Sequence, residues 1–235
     1  MSDTVADLAI NHILKRIDAE KSAQGSSSPL FVAIQGPQGI GKTTLARTLA
    51  SRLSSVPHSL KVVAFSIDDL LYGHEKMQAV GEAHPGNGLL QGRGLPGTHD
   101  VGLGVATLQS LSSMGRGGEG PSGVTVRMPF YDKSAYSGKG DLTAMETWAE
   151  VQAPVDIVIV EGWCLGCYSM PADLLVERWE RRYELGMPAS LELENGMEDI
   201  KFVSKELDKY ANSWYNFFTC MVQVSLFQSH QPTRF

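Results

Sequence analysis

Apolar and polar positions follow two rhythms along this chain. Five apolar residues run unbroken from Leu30 to Ile34, the pattern of a strand covered on both faces. Comparable runs at Lys61–Ile67 (KVVAFSI), Val124–Pro129 (VTVRMP), Val155–Val160 (VDIVIV) and Phe217–Val224 (FFTCMVQV) predict four more strands, the first of them also buried. Elsewhere the apolar spacing is three and four. Ile10, Ile13, Leu14 and Ile17 predict a helix over Asp3 to Glu20, and Leu45, Leu49 and Leu53 another from Thr43 to Leu53. Leu70 to Ala83 predicts a helix that Pro85 and Gly86 end. Val101, Val105 and Leu108 predict the next, with Thr98 placed to cap it. Pro171 to Leu185 fits a helix with proline near its start, and Ile200, Val203, Leu207, Tyr210 and Trp214 form a long stripe. Strands alternating with helices predict an α/β fold, a parallel sheet flanked by helices.

The segments between are of different kinds. Lys21–Pro29 (KSAQGSSSP) reads as a flexible connector. His84–Asp100 (HPGNGLLQGRGLPGTHD) is too rich in Gly and Pro to be regular, and loops of this length are usually functional or disordered. Gly115–Gly123 reads as a solvated, mobile insertion without chemistry, and Ser225–Phe235 has no pattern.

One junction carries a specific chemistry. The first strand runs into Gly36-Pro37-Gln38-Gly39-Ile40-Gly41-Lys42-Thr43-Thr44 and then into a helix, the context that makes G-x-x-x-x-G-K-[ST] a phosphate loop. Glycines let backbone N–H groups turn inward around an anion. The helix N-terminus adds donors and the positive end of its dipole. Lys42 is placed for the β and γ phosphates, and the Thr43 hydroxyl for Mg²⁺.

Composition narrows the class. The 235 residues suffice for one large α/β domain or two small ones. A formal net charge of −6 argues against a nucleic-acid partner bound by phosphate neutralisation. No apolar run reaches the length of a membrane span, so no membrane partner is expected. Met1 to Asp7 lack a secretory pattern, and three cysteines, an odd number, fit a reducing compartment. The expectation is a cytoplasmic protein.

Carboxylates stand where such sheets bind ligands, at the carboxyl ends of strands. Asp68 and Asp69 follow the second strand. A carboxylate there can take a proton from a substrate hydroxyl or hold Mg²⁺; the alternative is an acidic helix cap. Asp68 closes the apolar run and is expected at the strand mouth, whereas Asp69 is expected to point to the other side and act as the cap; Asp69 also stands with Arg93, His99, Asp100 and Lys133 among the candidate substrate contacts. Glu161 follows the fourth predicted strand and is placed to order the metal, or else is a surface residue at a strand end. Arg93, His99 and Asp100 surround the Gly/Pro loop, and an Arg there suits a carboxylate-bearing substrate as well as a structural role. Lys133, in YDKS, is either an anion contact or a solvated lysine. Cys164 and Cys167 form C-x-x-C, but zinc needs four ligands and the third cysteine, Cys220, is distant. Arg178, Arg181 and Arg182 read as a solvated helix face.

With these residues set out, GPQGIGKTT, FSIDDLLY, LLQGRGLPGTHD, PFYDKSAYSGKGD and VEGW resemble the D-glycerate 3-kinase family in its fungal form, within the phosphoribulokinase, uridine kinase and pantothenate kinase group. RGLPGTHD together with YDKS selects that family; the phosphate loop alone does not. The resemblance covers roughly Ile10 to Val224 and implies a P-loop NTPase of nucleoside-kinase-like architecture; the whole chain, 1–235, is expected to form one such domain, with 1–29 an N-terminal helix and linker and 225–235 an irregular tail. It implies ATP and Mg²⁺ at Gly36 to Thr44, Asp68 as the acid that activates the acceptor hydroxyl, and Arg93, His99 and Asp100 on the acceptor side. The implied acceptor is a small glycerate-like molecule. Two departures stand out. Leu142 follows Asp141 where the family pattern usually has Arg, and family members continue past FFTCMVQV into further helices, so the architecture is expected to be incomplete at the C-terminus. The expected reaction is γ-phosphoryl transfer from ATP to a hydroxyl, first of all the 3-hydroxyl of D-glycerate. The alternatives are a nucleoside or pantothenate-like alcohol as acceptor, or an impaired ATP-binding protein.

Overall fold

The computed structural model describes residues 4–22, 27–117, 123–182, 184 and 196–225. In chain order the elements are α1 (Val5–Ser22), β1 (Leu30–Gln35), α2 (Lys42–Ser54), β2 (Val62–Ser66), α3 (His74–Ala83), α4 (Val101–Ser112), β3 (Thr125–Met128), β4 (Tyr131–Asp132), the single turn α5 (Ala135–Gly138), β5 (Asp141–Leu142), β6 (Ala149–Gln152), β7 (Ile157–Gly162), α6 (Ala172–Glu180), α7 (Gly196–Ser213) and β8 (Cys220–Gln223).

Four strands make a parallel sheet in the order β2-β7-β1-β8. β1 and β7 lie in the middle with both faces covered, which is why their sequences are unbroken apolar runs. Phe31, Ala33, Val158 and Val160 face a core shared with Leu108, Leu111, Tyr210 and Trp214, from α4 and from α7 and its end. Leu30, Val32, Ile34, Ile157 and Ile159 face the opposite core, with Ile10, Ile13 and Ile17 of α1 and Leu49 and Leu53 of α2. The expected parallel sheet flanked by helices is the fold.

Several local expectations change. β2 is an edge strand: Val63 and Phe65 are buried, but Ala64 is exposed. β3 does not join the parallel sheet; it pairs antiparallel with β6, whose AEVQ sequence alternates apolar and polar but is only four residues long and mostly exposed. Asp68 and Asp69 lie in a 3-10 turn, Ile67–Leu70, and α3 begins only at His74. Asp100, not Thr98, caps α4, its Oδ1 accepting from Leu103 N at 2.9 Å. Thr98 is used within its own loop, where its hydroxyl donates to the Leu95 carbonyl. The long Gly/Pro segment packs tightly, burying Leu90, Thr98 and His99. Arg116, inside the expected solvated insertion, is buried and pairs with Glu20 at 3.0 Å; residues 118–122 lie outside the described residues. α1 continues two residues into the expected connector. Tyr215–Phe217 form a 3-10 turn, so the last strand starts at Cys220. Arg181 stands exposed and pairs with Glu177 and Glu184, as a solvated face would, whereas Arg178 and Arg182 are half-buried, Arg182 over the Trp179 ring. Leu185 and the tail from residue 226 lie outside the described residues. No helix among the described residues is long and apolar enough to cross a membrane.

Candidate active site

The phosphate loop leaves β1 at Gln35. Gly36 passes so close to the end of β8 that a Cβ there would lie 2.5 Å from the Val224 carbonyl oxygen. Gly41, at φ 95°, occupies the left-handed region and serves as N-cap of α2. The first turn of α2 therefore opens its unpaired N–H groups toward the loop. Lys42 is only 8% exposed, and its Nζ donates to the Pro37 carbonyl at 2.9 Å.

Strand register brings the acids to this loop. β7 lies between β1 and β2, with Glu161 beside Ile34 on one side and Ser66 on the other. Glu161 is buried, and its Oε1 accepts from the Thr43 hydroxyl at 2.7 Å. Beyond Ser66 the two aspartates part. Asp69 Oδ2 accepts from Ser66 N at 3.0 Å and Oδ1 from Tyr131 N at 3.3 Å, closing a capping box with Ser66. Burial raises the Asp69 carboxyl pKa, against the effect of these N–H groups. Asp68 points into the cleft and pairs through Oδ2 with Lys133 Nζ at 2.6 Å.

Lys133 is carried by the β4–β5 hairpin. The Arg93 guanidinium donates to the carbonyls of Gly138 and Lys139 and, at 3.4 Å, of Lys133. Arg93 thus pins the hairpin's backbone. The result is a cleft of about 670 Å³ whose wall includes Lys42, Thr43, Thr44, Asp68, Arg93, Lys133 and Glu161, with Gln38, Gly39 and Gly41 of the loop.

Three residues expected on the acceptor side stand outside this wall. Asp69 spends its carboxylate on backbone N–H groups. His99 is 1% exposed, with Nδ1 2.7 Å from the Tyr210 hydroxyl and its ring edge-on to Tyr210 and Trp214. Burial lowers its pKa to about 4. Asp100 caps α4 and pairs with Lys76 at 3.0 Å. The cause is backbone pairing: Leu71 bridges His99, and Asp100 N donates to the Leu70 carbonyl at 2.7 Å. This sews the loop to the 3-10 turn and directs His99 into the core.

Trp163 is a cleft residue that no sequence motif above assigns a role. It lines the wall and donates from Nε1 to the Gly94 carbonyl at 2.8 Å, holding the Gly/Pro loop to the end of β7. Its signal was its place directly after the strand-end Glu161-Gly162. Behind it, burial raises the Cys164 thiol to about 12, and the Tyr215 hydroxyl lies within hydrogen-bond distance of the carbonyls of Cys164 and Cys167.

The donor set suits a hard divalent cation. The Thr43 hydroxyl and the Glu161 carboxylate are adjacent, and Asp68 lines the same cleft. No group of three or more His, Cys, Asp or Glu among the described residues is arranged to hold a metal by itself. A hydroxyl beside one or two carboxylates is the kind of donor set that Mg²⁺ takes together with waters and substrate phosphates.

Fold and loop together define a P-loop protein built on a parallel α/β sheet. Within that class the chain is a relative of the D-glycerate 3-kinases. It is 34% identical over 186 residues to the chloroplastic D-glycerate 3-kinase of Arabidopsis thaliana, covering 79% of this chain and 37% of that one. It is 39% identical over 166 residues to the Saccharomyces cerevisiae protein named "Probable ATP-dependent kinase TDA10", covering 70% and 55%. The solved structure of D-glycerate 3-kinase from Cryptococcus neoformans matches with a TM-score of 0.81 at 29% identity, over 94% of this chain and 73% of that one. The chain thus spans about a third to just over half of the curated relatives' length. No family model matches.

Proposed function

We propose that this chain transfers the γ-phosphoryl group of ATP to the hydroxyl of a small acceptor, D-glycerate at its 3-position. One observation carries the reading: the phosphate loop, Glu161 and the Asp68–Lys133 pair share the wall of one cleft. The relatives named D-glycerate 3-kinase support the choice of acceptor.

Phosphoryl transfer asks a protein for positioning and charge stabilisation more than for covalent chemistry. The loop's N–H groups and the start of α2 bind the phosphates. Lys42, released from the Pro37 carbonyl, sets its ammonium on the β and γ oxygens. Thr43, Glu161 and Asp68 are the residues that would hold Mg²⁺, which when bound neutralises phosphate charge. Asp68 is the group placed to take the proton of the acceptor hydroxyl.

A substrate panel tests this. The chain is supplied with ATP and either D-glycerate, L-glycerate, uridine or pantothenate, and ADP release is followed. The expected result is the highest kcat/KM on D-glycerate. Turnover on uridine or pantothenate with none on glycerate would replace the acceptor, and ATP binding without any turnover would leave a nucleotide-binding protein.

A further inference from the structure

The acid placed to take the acceptor's proton is already occupied. Asp68 Oδ2 lies 2.6 Å from the Lys133 ammonium, within the short range of charge-assisted hydrogen bonds. A carboxylate oxygen that accepts from an ammonium is a poor acceptor for a second proton. The other cations lining the cleft are engaged elsewhere: Lys42 on the Pro37 carbonyl, Arg93 on hairpin carbonyls. Lys133 is the one that stands on the acid.

Its surroundings leave it free to move. The Lys133 side chain is 58% exposed, whereas Asp68 is 30% exposed. The backbone beneath it is fixed by the β4–β5 pairing and by Arg93. A fixed base and a loose four-carbon arm let the ammonium shift without the hairpin moving.

Building on the proposed phosphoryl transfer, we propose that Lys133 is a specificity-determining mask on Asp68, removed by an anionic acceptor. The carboxylate of D-glycerate draws the ammonium off Asp68, and the freed carboxylate meets the acceptor hydroxyl. The hydroxyl proton then passes to Asp68, the acceptor oxygen bonds to the γ-phosphorus, and the bond from that phosphorus to the β-phosphate oxygen breaks, releasing ADP. A neutral polyol such as glycerol offers the same hydroxyl but no anion, so the mask stays. Water is refused for the same reason, which limits wasteful ATP hydrolysis.

Wild type and Lys133→Met are compared with D-glycerate, with glycerol, and with no acceptor. In the variant, kcat/KM on D-glycerate should fall about 10- to 100-fold, the range for losing a hydrogen bond to a charged group. Turnover of glycerol and ATP hydrolysis without acceptor should both rise. A glycerol rate that is unchanged or lower in the variant would overturn the mask and make Lys133 a plain anion contact. A second readout needs no ATP. The NMR signal of the Lys133 side chain, assigned by its loss in Lys133→Met, is titrated with D-glycerate and with glycerol. D-Glycerate should shift it and glycerol should not; a signal that D-glycerate leaves in place overturns the proposal. Absence of turnover on any acceptor in wild type would remove the proposed reaction, while a D-glycerate-specific shift would still show the exchange of partners.

Discussion

Asp68 and Asp69 are neighbours in sequence with different surroundings. The 3-10 turn gives Asp69 two backbone N–H partners and sends Asp68 into the cleft toward Lys133. Asp68→Asn should therefore lower kcat by about 10² to 10⁴, the usual worth of general-base assistance, with KM for ATP little changed. Asp69→Asn should mainly lower stability, by about 1 kcal/mol as for a lost cap. Single-turnover rates and melting curves on both variants check this; a slow Asp69→Asn beside a near-normal Asp68→Asn would reverse the roles. Lys42→Ala should abolish transfer and keep the native circular-dichroism spectrum. His99 gives a pH dependence. Its pKa falls from 6.5 to about 4 on burial, so below pH 6.5 the unfolded chain binds a proton that the folded chain refuses. Stability from this source is full above pH 6.5 and is lost as pH falls toward 4. Denaturant midpoints at pH 7 and pH 5 should differ more in wild type than in His99→Gln; equal differences would mean that His99 does not titrate this way.

At the scale of elements, what could be read from the chain depended on how local the cause was. β1 and β7 were legible because a strand covered on both faces has little choice but to be apolar. The phosphate loop was legible because its glycines and Lys42 answer to a ligand and to adjacent backbone. β6 was not: the alternation of AEVQ spans only four mostly exposed residues, too few to stand out, and its partner β3 is distant in sequence. His99 and Asp100 lie outside the cleft wall for a similar reason. Their motif pointed to substrate, but the Leu71–His99 bridge is a tertiary pairing that no local pattern announces. The change from Thr98 to Asp100 as the cap of α4 is a shift of two residues with a direct energetic consequence. Asp100→Ala should cost about 1 kcal/mol in thermal or denaturant unfolding, as N-caps do, with the exposed pair to Lys76 adding little. A melting temperature equal to wild type would show that the cap is not stabilising.

At the scale of the whole molecule, the sheet order determines where chemistry can happen. Placing β7 between β1 and β2 puts Glu161 next to the phosphate loop and puts the Asp68 turn one strand further out, with the hairpin closing over it. The strands' carboxyl ends then supply the loop, the acid beside Thr43 and the acid paired with Lys133 from three adjacent strands of the sheet. On that arrangement rests the proposed γ-phosphoryl transfer to the 3-hydroxyl of D-glycerate. Proton-coupled ³¹P NMR of the chain incubated with ATP and D-glycerate tests it most directly. Transfer to the 3-hydroxyl predicts a new phosphomonoester resonance split by the two methylene protons of C3, growing as the γ-phosphate signal of ATP declines. A resonance split by the single proton of C2, or loss of the γ-phosphate to inorganic phosphate with no ester formed, would contradict it.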